Sequence, residues 1–149
     1  MISGLTAGQR LLGLDVGAKT VGLALSDATL TVATPLETIW RGKKFAPDAE
    51  RLAGIIGERG VGGLVIGLPF NMDGSEGPRC QSTRQFARNL LGRIEIAIAF
   101  WDERLSTAAV ERWLIDEADM TRKRRGQVVD SMAAGYILQG LLDRLKRMN

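Results

Sequence analysis

An aspartate lies within the first apolar run of the chain. Asp15 belongs to the segment Leu11–Gly17, and a short apolar run of this kind predicts a buried strand. Removing an isolated carboxylate from water costs on the order of several kcal/mol, so an acid at this position needs a compensating cation or a dense set of donors. A metal ion is the simplest such partner, and Asp15 is therefore the first candidate site residue.

The composition limits the chemistry of such a site. The chain contains no histidine and a single cysteine, Cys80. Imidazole ligands, histidine general bases, Ser-His-Asp triads and Cys-His nucleophiles are therefore excluded, as is a zinc cage of thiolates. Oxygen ligands remain, and sites built only from oxygen suit Mg²⁺ or Mn²⁺.

The length and apolar content predict one globular domain over residues 1–149. With 45% hydrophobic and 25% charged residues, the chain has enough apolar material for a core without a disulfide. The apolar runs are too short for a membrane span, and the first ten residues lack the apolar stretch of a signal peptide. We expect a cytoplasmic protein with no membrane partner.

The order of predicted elements indicates an α/β fold. Runs at Leu11–Gly17 and Val21–Ser26 predict a hairpin, and Pro35 places a third strand, Thr31–Ile39, at a sheet edge. The pattern then predicts a helix from about residue 47 to 60, a strand at 62–67, a loop at 68–77, a helix at 79–92, a strand at 94–101, and helices at about 107–118 and 128–145. This order predicts a mixed central sheet, three antiparallel strands extended by parallel strands, flanked by helices.

Glu103 is the second candidate acid. It follows a predicted strand directly, and in α/β sheets sites gather where strand ends and helix starts converge. The alternative interpretation is a loop acid paired with Arg104. Position in the sequence does not distinguish the two.

Asp130 is the third candidate acid. On the last predicted helix it shares a face with Ala134, Ile137 and Leu141, which follow the spacing of a buried stripe. The alternative is an acid near a helix N-terminus, stabilised by the helix dipole. Together with Asp15 and Glu103, this acid would complete the form of a two-metal phosphodiesterase site.

A basic run immediately precedes the last predicted helix. Arg122 is followed by three further cations, and basic clusters of this kind contact phosphate or form solvated surface. The candidate phosphate contacts are Lys123, Arg124 and Arg125.

Four segments resemble, in order, the motifs of the YqgF (RuvX-like) family of ribonuclease H-fold nucleases. They are Gly13–Ala24, Val65–Glu76, Asp102–Thr107 and Val129–Ala134, and the resemblance runs from about Leu11 to Leu142. It implies a ribonuclease H-like fold in which Asp15, Glu103 and Asp130 are the catalytic acids. Two ions of Mg²⁺ or Mn²⁺ are the expected cofactors of these acids, as their placement and the oxygen-only composition indicate.

The resemblance implies one of two alternative substrates. The family is described as a Holliday-junction resolvase or, more often, as a nuclease that processes the 5′ end of precursor 16S rRNA. The expected partners are therefore precursor rRNA or branched DNA, together with ribosomal particles, and a monomer and a homodimer both stay open. Lys19, Asn71 and Arg104 either contact substrate or shape the turns in which they lie.

Two other functions compete with a nuclease. Asp15, Gly17, Lys19 and Thr20 also resemble the phosphate-binding hairpin of the actin and sugar-kinase superfamily, which would predict an ATP-binding protein. Those proteins place nucleotide between two such domains, whereas this length fits only one. The third interpretation is a non-catalytic module of the same fold that binds RNA or a ribosomal partner.

Overall fold

A computed structural model describes residues 8–105 and 122–148, with side chains described at 8–105 and 131–147. Its strands are β1 (Arg10–Val16), β2 (Thr20–Ser26), β3 (Ala33–Trp40), β4 (Val61–Leu68) and β5 (Ala97–Asp102). Its helices are α1 (Phe45–Arg59), α2 (Pro78–Leu91) and α3 (Arg122–Met148), and a 3₁₀ turn, Glu103–Leu105, follows β5. The helix predicted at 107–118 lies outside the described residues.

The strands form one mixed sheet in the order β3-β2-β1-β4-β5. β1 pairs antiparallel with β2, and β2 pairs antiparallel with β3. β4 lies parallel to β1, and β5 lies parallel to β4. The predicted mixed sheet is confirmed, as is the edge position of the strand that contains Pro35. Strands β1, β3, β4 and β5 all end at the same side of the sheet, which we call the carboxyl edge.

The two faces of the sheet are covered by different helices. Leu12 and Leu14 of β1 pack in a cluster with residues of α1 and α2, such as Leu52 and Phe86. Leu11 packs on the opposite face, in a cluster with four buried residues of α3: Ala134, Ile137, Leu138 and Leu142. Since side chains alternate along a strand, Asp15 lies on the α3 face.

A glycine lets α3 approach β1 closely. A Cβ atom on Gly13 would lie 2.8 Å from Leu138 Cβ and 2.9 Å from the carbonyl oxygen of Ala134. Both neighbours belong to or adjoin the helix backbone, so they cannot move without shifting α3. Gly13 therefore fixes the distance between the helix and the strand that contains Asp15.

We expect Gly13→Ala to lower the free energy of unfolding by roughly 1–3 kcal/mol, because overpacking displaces α3 from the sheet. Chemical denaturation measures this change. Gly54→Ala is the matched control, since its Cβ would meet no atom within 4 Å in α1 and alanine is the better helix former. Equal stability of Gly13→Ala and the wild type would contradict the close contact.

Two predicted element starts were wrong by three residues or more. Strand β5 begins at Ala97 rather than Ile94, and α3 begins at Arg122 rather than about Val128. The basic run is therefore part of α3 instead of a connection before it, which agrees with the high helix propensity of Lys and Arg. Neither α3 nor any other described helix is long and apolar enough to cross a membrane.

Candidate active site

Asp15 and Glu103 meet at the carboxyl edge of the sheet. Asp15 is the penultimate residue of β1, and Glu103 opens the 3₁₀ turn that directly follows β5. Their side chains are hydrogen-bonded to one another across the end of β4. Arg104, the partner of Glu103 in the alternative interpretation, forms an ion pair with Asp102.

Gly67 makes room for this acid pair. It lies near the end of β4, and a Cβ atom there would lie 2.8 Å from Glu103 Cγ and 2.5 Å from Ile137 Cδ1. A larger residue at this position would press on both α3 and Glu103. The absence of a side chain at Gly67 thus lets Glu103 reach Asp15 beneath the helix.

The environment of Asp15 favours its protonated form. Burial, the hydrogen bond to Glu103 and repulsion by the Glu103 charge raise the pKa of Asp15 to about 8, while the charge of Arg79 acts in the opposite direction. At neutral pH and without a cation, Asp15 therefore stays protonated, and its O–H donates the hydrogen bond to Glu103. Two carboxylates this close resist being ionised together unless a positive charge joins them.

The carboxyl groups of Asp15 and Glu103 suit a divalent cation that prefers oxygen ligands. Two carboxyl groups share a proton in a half-buried site, and a divalent cation can replace that proton while satisfying both acids. Among the described side chains, no group of three or more His, Cys, Asp or Glu residues could hold a metal ion. The acid pair alone thus provides too few ligands from the described residues.

The backbone of Asp130 lies in α3, and its side chain lies outside the described residues. Asp130 comes more than two turns after Arg122, the first residue of the helix. The helix dipole acts within about the first turn, so its proposed role in stabilising Asp130 was wrong. One turn further on, Ala134 lies against Gly13 of β1.

Arg104 braces the segment that contains Glu103. Its guanidinium pairs with Asp102, with Nη2 2.6 Å from Oδ2, and this ion pair lowers the pKa of Asp102. Arg104 Nη1 also donates to the carbonyl oxygen of Met72 at 3.3 Å, and the guanidinium lies 5.6 Å from the ring centre of Phe70. Arg104 thereby joins the loop after β4 to the end of β5.

Asn71 organises the loop between β4 and α2. Its backbone N–H donates to the carbonyl of Ser75 at 2.9 Å, and its side-chain amide donates to Ser75 Oγ at 3.0 Å. Its own carbonyl accepts from Gly74, whose φ of 88° favours glycine. These contacts give Asn71 a structural role, and its exposed position at the carboxyl edge leaves a substrate contact open.

The other predicted nucleic-acid contacts lie in two places. Lys19 is exposed in the turn between β1 and β2, and its carbonyl accepts a hydrogen bond from the Arg41 N–H at 2.8 Å. Lys123, Arg124 and Arg125 lie in the first turns of α3, and their side chains lie outside the described residues. The structure therefore leaves the predicted phosphate contacts of these three side chains as predictions.

Arg79 is a candidate site residue that the sequence analysis missed. It is exposed in the first turn of α2, where its charge reaches Asp15 and lowers the pKa of that carboxyl. One signal was available in the sequence: Arg79 follows Gly77 and Pro78, which mark a helix start after a loop at the carboxyl edge. Helix N-termini at such positions favour anions.

The sheet order and the acid pair at its carboxyl edge define a ribonuclease H-like domain. This fold agrees with a solved structure of RuvC from T. thermophilus in complex with a Holliday junction substrate, at a TM-score of 0.59. The match covers 95% of this chain and 96% of that one. At 13% sequence identity, the similarity concerns the fold alone.

The chain belongs to the RuvX family, whose model, described as "Holliday junction resolvase", matches residues 9–144. A relative from Paramagnetospirillum magneticum is 62% identical and covers 96% of this chain and 91% of its own length. Another from Ruegeria pomeroyi is 63% identical, with 93% and 88% covered. Both are named "Putative pre-16S rRNA nuclease". The family predicted from the four motifs is confirmed.

Proposed function

We propose that the chain is a metal-dependent nuclease that processes the 5′ end of precursor 16S rRNA in the cytoplasm. The observation that carries this proposal is the hydrogen-bonded pair of Asp15 and Glu103 at the carboxyl edge of a ribonuclease H-like sheet. The names of the relatives support the substrate. Ribosomal particles are then the expected partners.

Asp15, Glu103 and Asp130 are the proposed ligands of Mg²⁺ or Mn²⁺, with two ions in the site. When bound, such ions lower the pKa of water and stabilise charge on the phosphate and on the leaving oxygen. The role of the acids is to fix these charges in position. On binding such ions, Asp15 would release the proton that it shares with Glu103, and both carboxylates would serve as ligands.

The packing of α3 supports Asp130 as the third ligand. Ala134 lies over Gly13 of β1, and Ile137 lies beside Gly67 of β4. The helical period places residue 130 on the same side of the helix as residues 134 and 137. Ala134 and Leu138 both lie over Gly13, which is two residues from Asp15 on the same face of β1. The turn that precedes Ala134 therefore starts beside the strand of Asp15.

Cations around the acid pair are proposed to bind the phosphate backbone. Arg79 is placed to offset negative charge beside Asp15, and Lys19 is exposed at the same edge of the sheet. Arg104 is a positioning residue in this proposal, because its ion pair with Asp102 holds the segment that presents Glu103. Asn71 is proposed to present its loop to the substrate.

Resolution of branched DNA is the second candidate function. The description of the family model favours it, and the same acid pair could cut either backbone. The ATP-binding interpretation has no comparable support, because the family model and the names of the relatives describe a resolvase and nucleases.

Cleavage assays separate these functions. The purified chain is incubated with an RNA that spans the 5′ precursor junction of 16S rRNA, or with a four-way DNA junction, in Mg²⁺, Mn²⁺ or chelator. We expect cleavage of the RNA only when divalent ion is present. Cleavage of the junction alone would favour the resolvase, and cleavage of neither substrate would contradict a nuclease.

The basic start of α3 gives a separate prediction. Replacing Lys123, Arg124 and Arg125 together by Gln should weaken RNA binding and flatten its salt dependence, because each lost phosphate contact removes roughly 0.7 from the log–log slope. Titrations at several salt concentrations measure the slope. The matched control replaces Arg144, Lys146 and Arg147, near the other end of α3. An unchanged slope in the first variant would assign the run to ordinary surface.

A further inference from the structure

Trp40 exposes its indole at the carboxyl edge. It is the last residue of β3, and 59% of its surface is accessible. A single exposed apolar residue is ordinary on a protein surface. What distinguishes Trp40 is its position relative to the acid pair and the charges around it.

The strand register places Trp40 on the same face of the sheet as Asp15. Asp15 pairs with Gly22 of β2, Gly22 pairs with Thr38 of β3, and Thr20 pairs with Trp40. Residues paired across strands share a face, and so do residues two apart along a strand. Two strand spacings across and two residues along give roughly 12 Å between the Cα atoms of Asp15 and Trp40.

The segment that follows Trp40 is basic. Its first residue, Arg41, is held on the opposite face of the sheet, because Nη1 donates to the Gly17 carbonyl at 2.7 Å and the guanidinium lies 5.2 Å from the ring centre of Phe86, in the cluster covered by α1 and α2. Lys43 and Lys44 follow in an exposed segment, and their side chains form no hydrogen bond or ion pair with other described residues. The nearest acid along β3, Glu37, is already paired with Arg51 at 2.8 Å.

We propose that Trp40 is a stacking platform for an unpaired base of the nucleic acid that reaches the acid pair. Lys19, Lys43 and Lys44 bind the phosphates on either side of that base. An aromatic face amid cations is the combination that single-stranded nucleic acid requires, because bases stack on the ring while the backbone is neutralised. Bases inside a duplex are already stacked on both neighbours, so they offer no free face to the indole.

This inference rests on the proposed nuclease function for its substrate class, so its test measures binding without cleavage. Affinities are measured in chelator by fluorescence anisotropy, for a labelled single-stranded RNA of twelve nucleotides and for a blunt RNA duplex of the same sequence. The variants are Trp40→Ala, Trp40→Phe and Lys43→Gln. The matched control is Val32→Ala, which changes another exposed apolar residue, 56% accessible, near the opposite end of β3.

Trp40→Ala should weaken binding of the single strand by about 5- to 150-fold, the effect of one stacked base. Trp40→Phe should restore most of the affinity, and Val32→Ala should leave it unchanged. The salt slope should stay at the wild-type value in Trp40→Ala and fall by about 0.7 in Lys43→Gln. Duplex binding should not respond to Trp40→Ala.

Two results would overturn the proposal: wild-type affinity of Trp40→Ala for the single strand, or an equal loss for single strand and duplex. Thermal melts of each variant show whether a change in affinity reflects folding. A chain that binds as expected but cuts neither RNA nor DNA would contradict the nuclease function and leave the stacking platform intact.

Discussion

Asp15→Asn, Glu103→Gln and Asp130→Asn should each lower the rate constant of metal-dependent cleavage by roughly 10³-fold or more, and the double variants should lose little beyond this. The acids act as one unit when they share bound ions, so removing any of them disturbs the whole site, and such losses do not add. Single-turnover cleavage of the 16S precursor RNA, with substrate binding measured separately, gives the comparison.

Asp143→Asn is the matched control for this series. Asp143 is an exposed acid on α3 that accepts a hydrogen bond from Gln139, and asparagine can still accept that bond. We expect wild-type activity in this variant. Full activity in Glu103→Gln would move the catalytic centre elsewhere, and Asp102 would be the next acid to test.

The metal-free protein should lose stability as the pH rises from about 4 to 8, and Asp15→Asn should remove most of that loss. The native environment raises the pKa of Asp15 from 3.8 to about 8. The native state therefore binds a proton that the unfolded chain releases above pH 4, so this contribution to stability is full below that pH and is lost by about pH 8. Each pKa unit corresponds to about 1.4 kcal/mol.

Thermal melts in chelator measure this effect. Between pH 5 and pH 8 the Tm of the wild type should fall by roughly 5 °C or more beyond the fall in Asp15→Asn, since about 1 kcal/mol shifts the Tm of a domain of this size by about 2–4 °C. At pH 8 the variant should be at least as stable as the wild type. The other titrating groups are the same in both proteins, so their contributions to the pH dependence of stability cancel in the difference.

Adding Mg²⁺ or Mn²⁺ at pH 8 should reverse the order of stability, so that the wild type becomes more stable than Asp15→Asn. Binding to the native state stabilises it by RT ln(1 + [L]/Kd), about 2.7 kcal/mol at a hundredfold excess over Kd, and this gain should shrink in Asp15→Asn. A buried acid held by a basic partner would behave differently, because its neutralisation would cost roughly 3–5 kcal/mol with or without metal. If Asp15→Asn loses this much stability in chelator, and metal does not stabilise the wild type, the metal site is contradicted.

Much of the fold and part of the site were predictable from local patterns. Alternation along β1 places Asp15 on the face opposite Leu14, and turn residues separate the strands of the hairpin. The lack of histidine restricts the site to oxygen chemistry, and the four motifs identify the family without any coordinates. Each of these inferences needs only neighbouring residues or a count of residue types.

The sites themselves depend on contacts that sequence periodicity does not encode. Strand order and register bring Glu103 to Asp15 across β4. The direction of the turn after β5 decides that Arg104 forms an ion pair with Asp102. The same register aligns Trp40 with Asp15 on one face of the sheet. Periodicity reports which side of a strand or helix is buried, whereas a site forms where separate elements converge, and close packing through Gly13 and Gly67 decides that convergence.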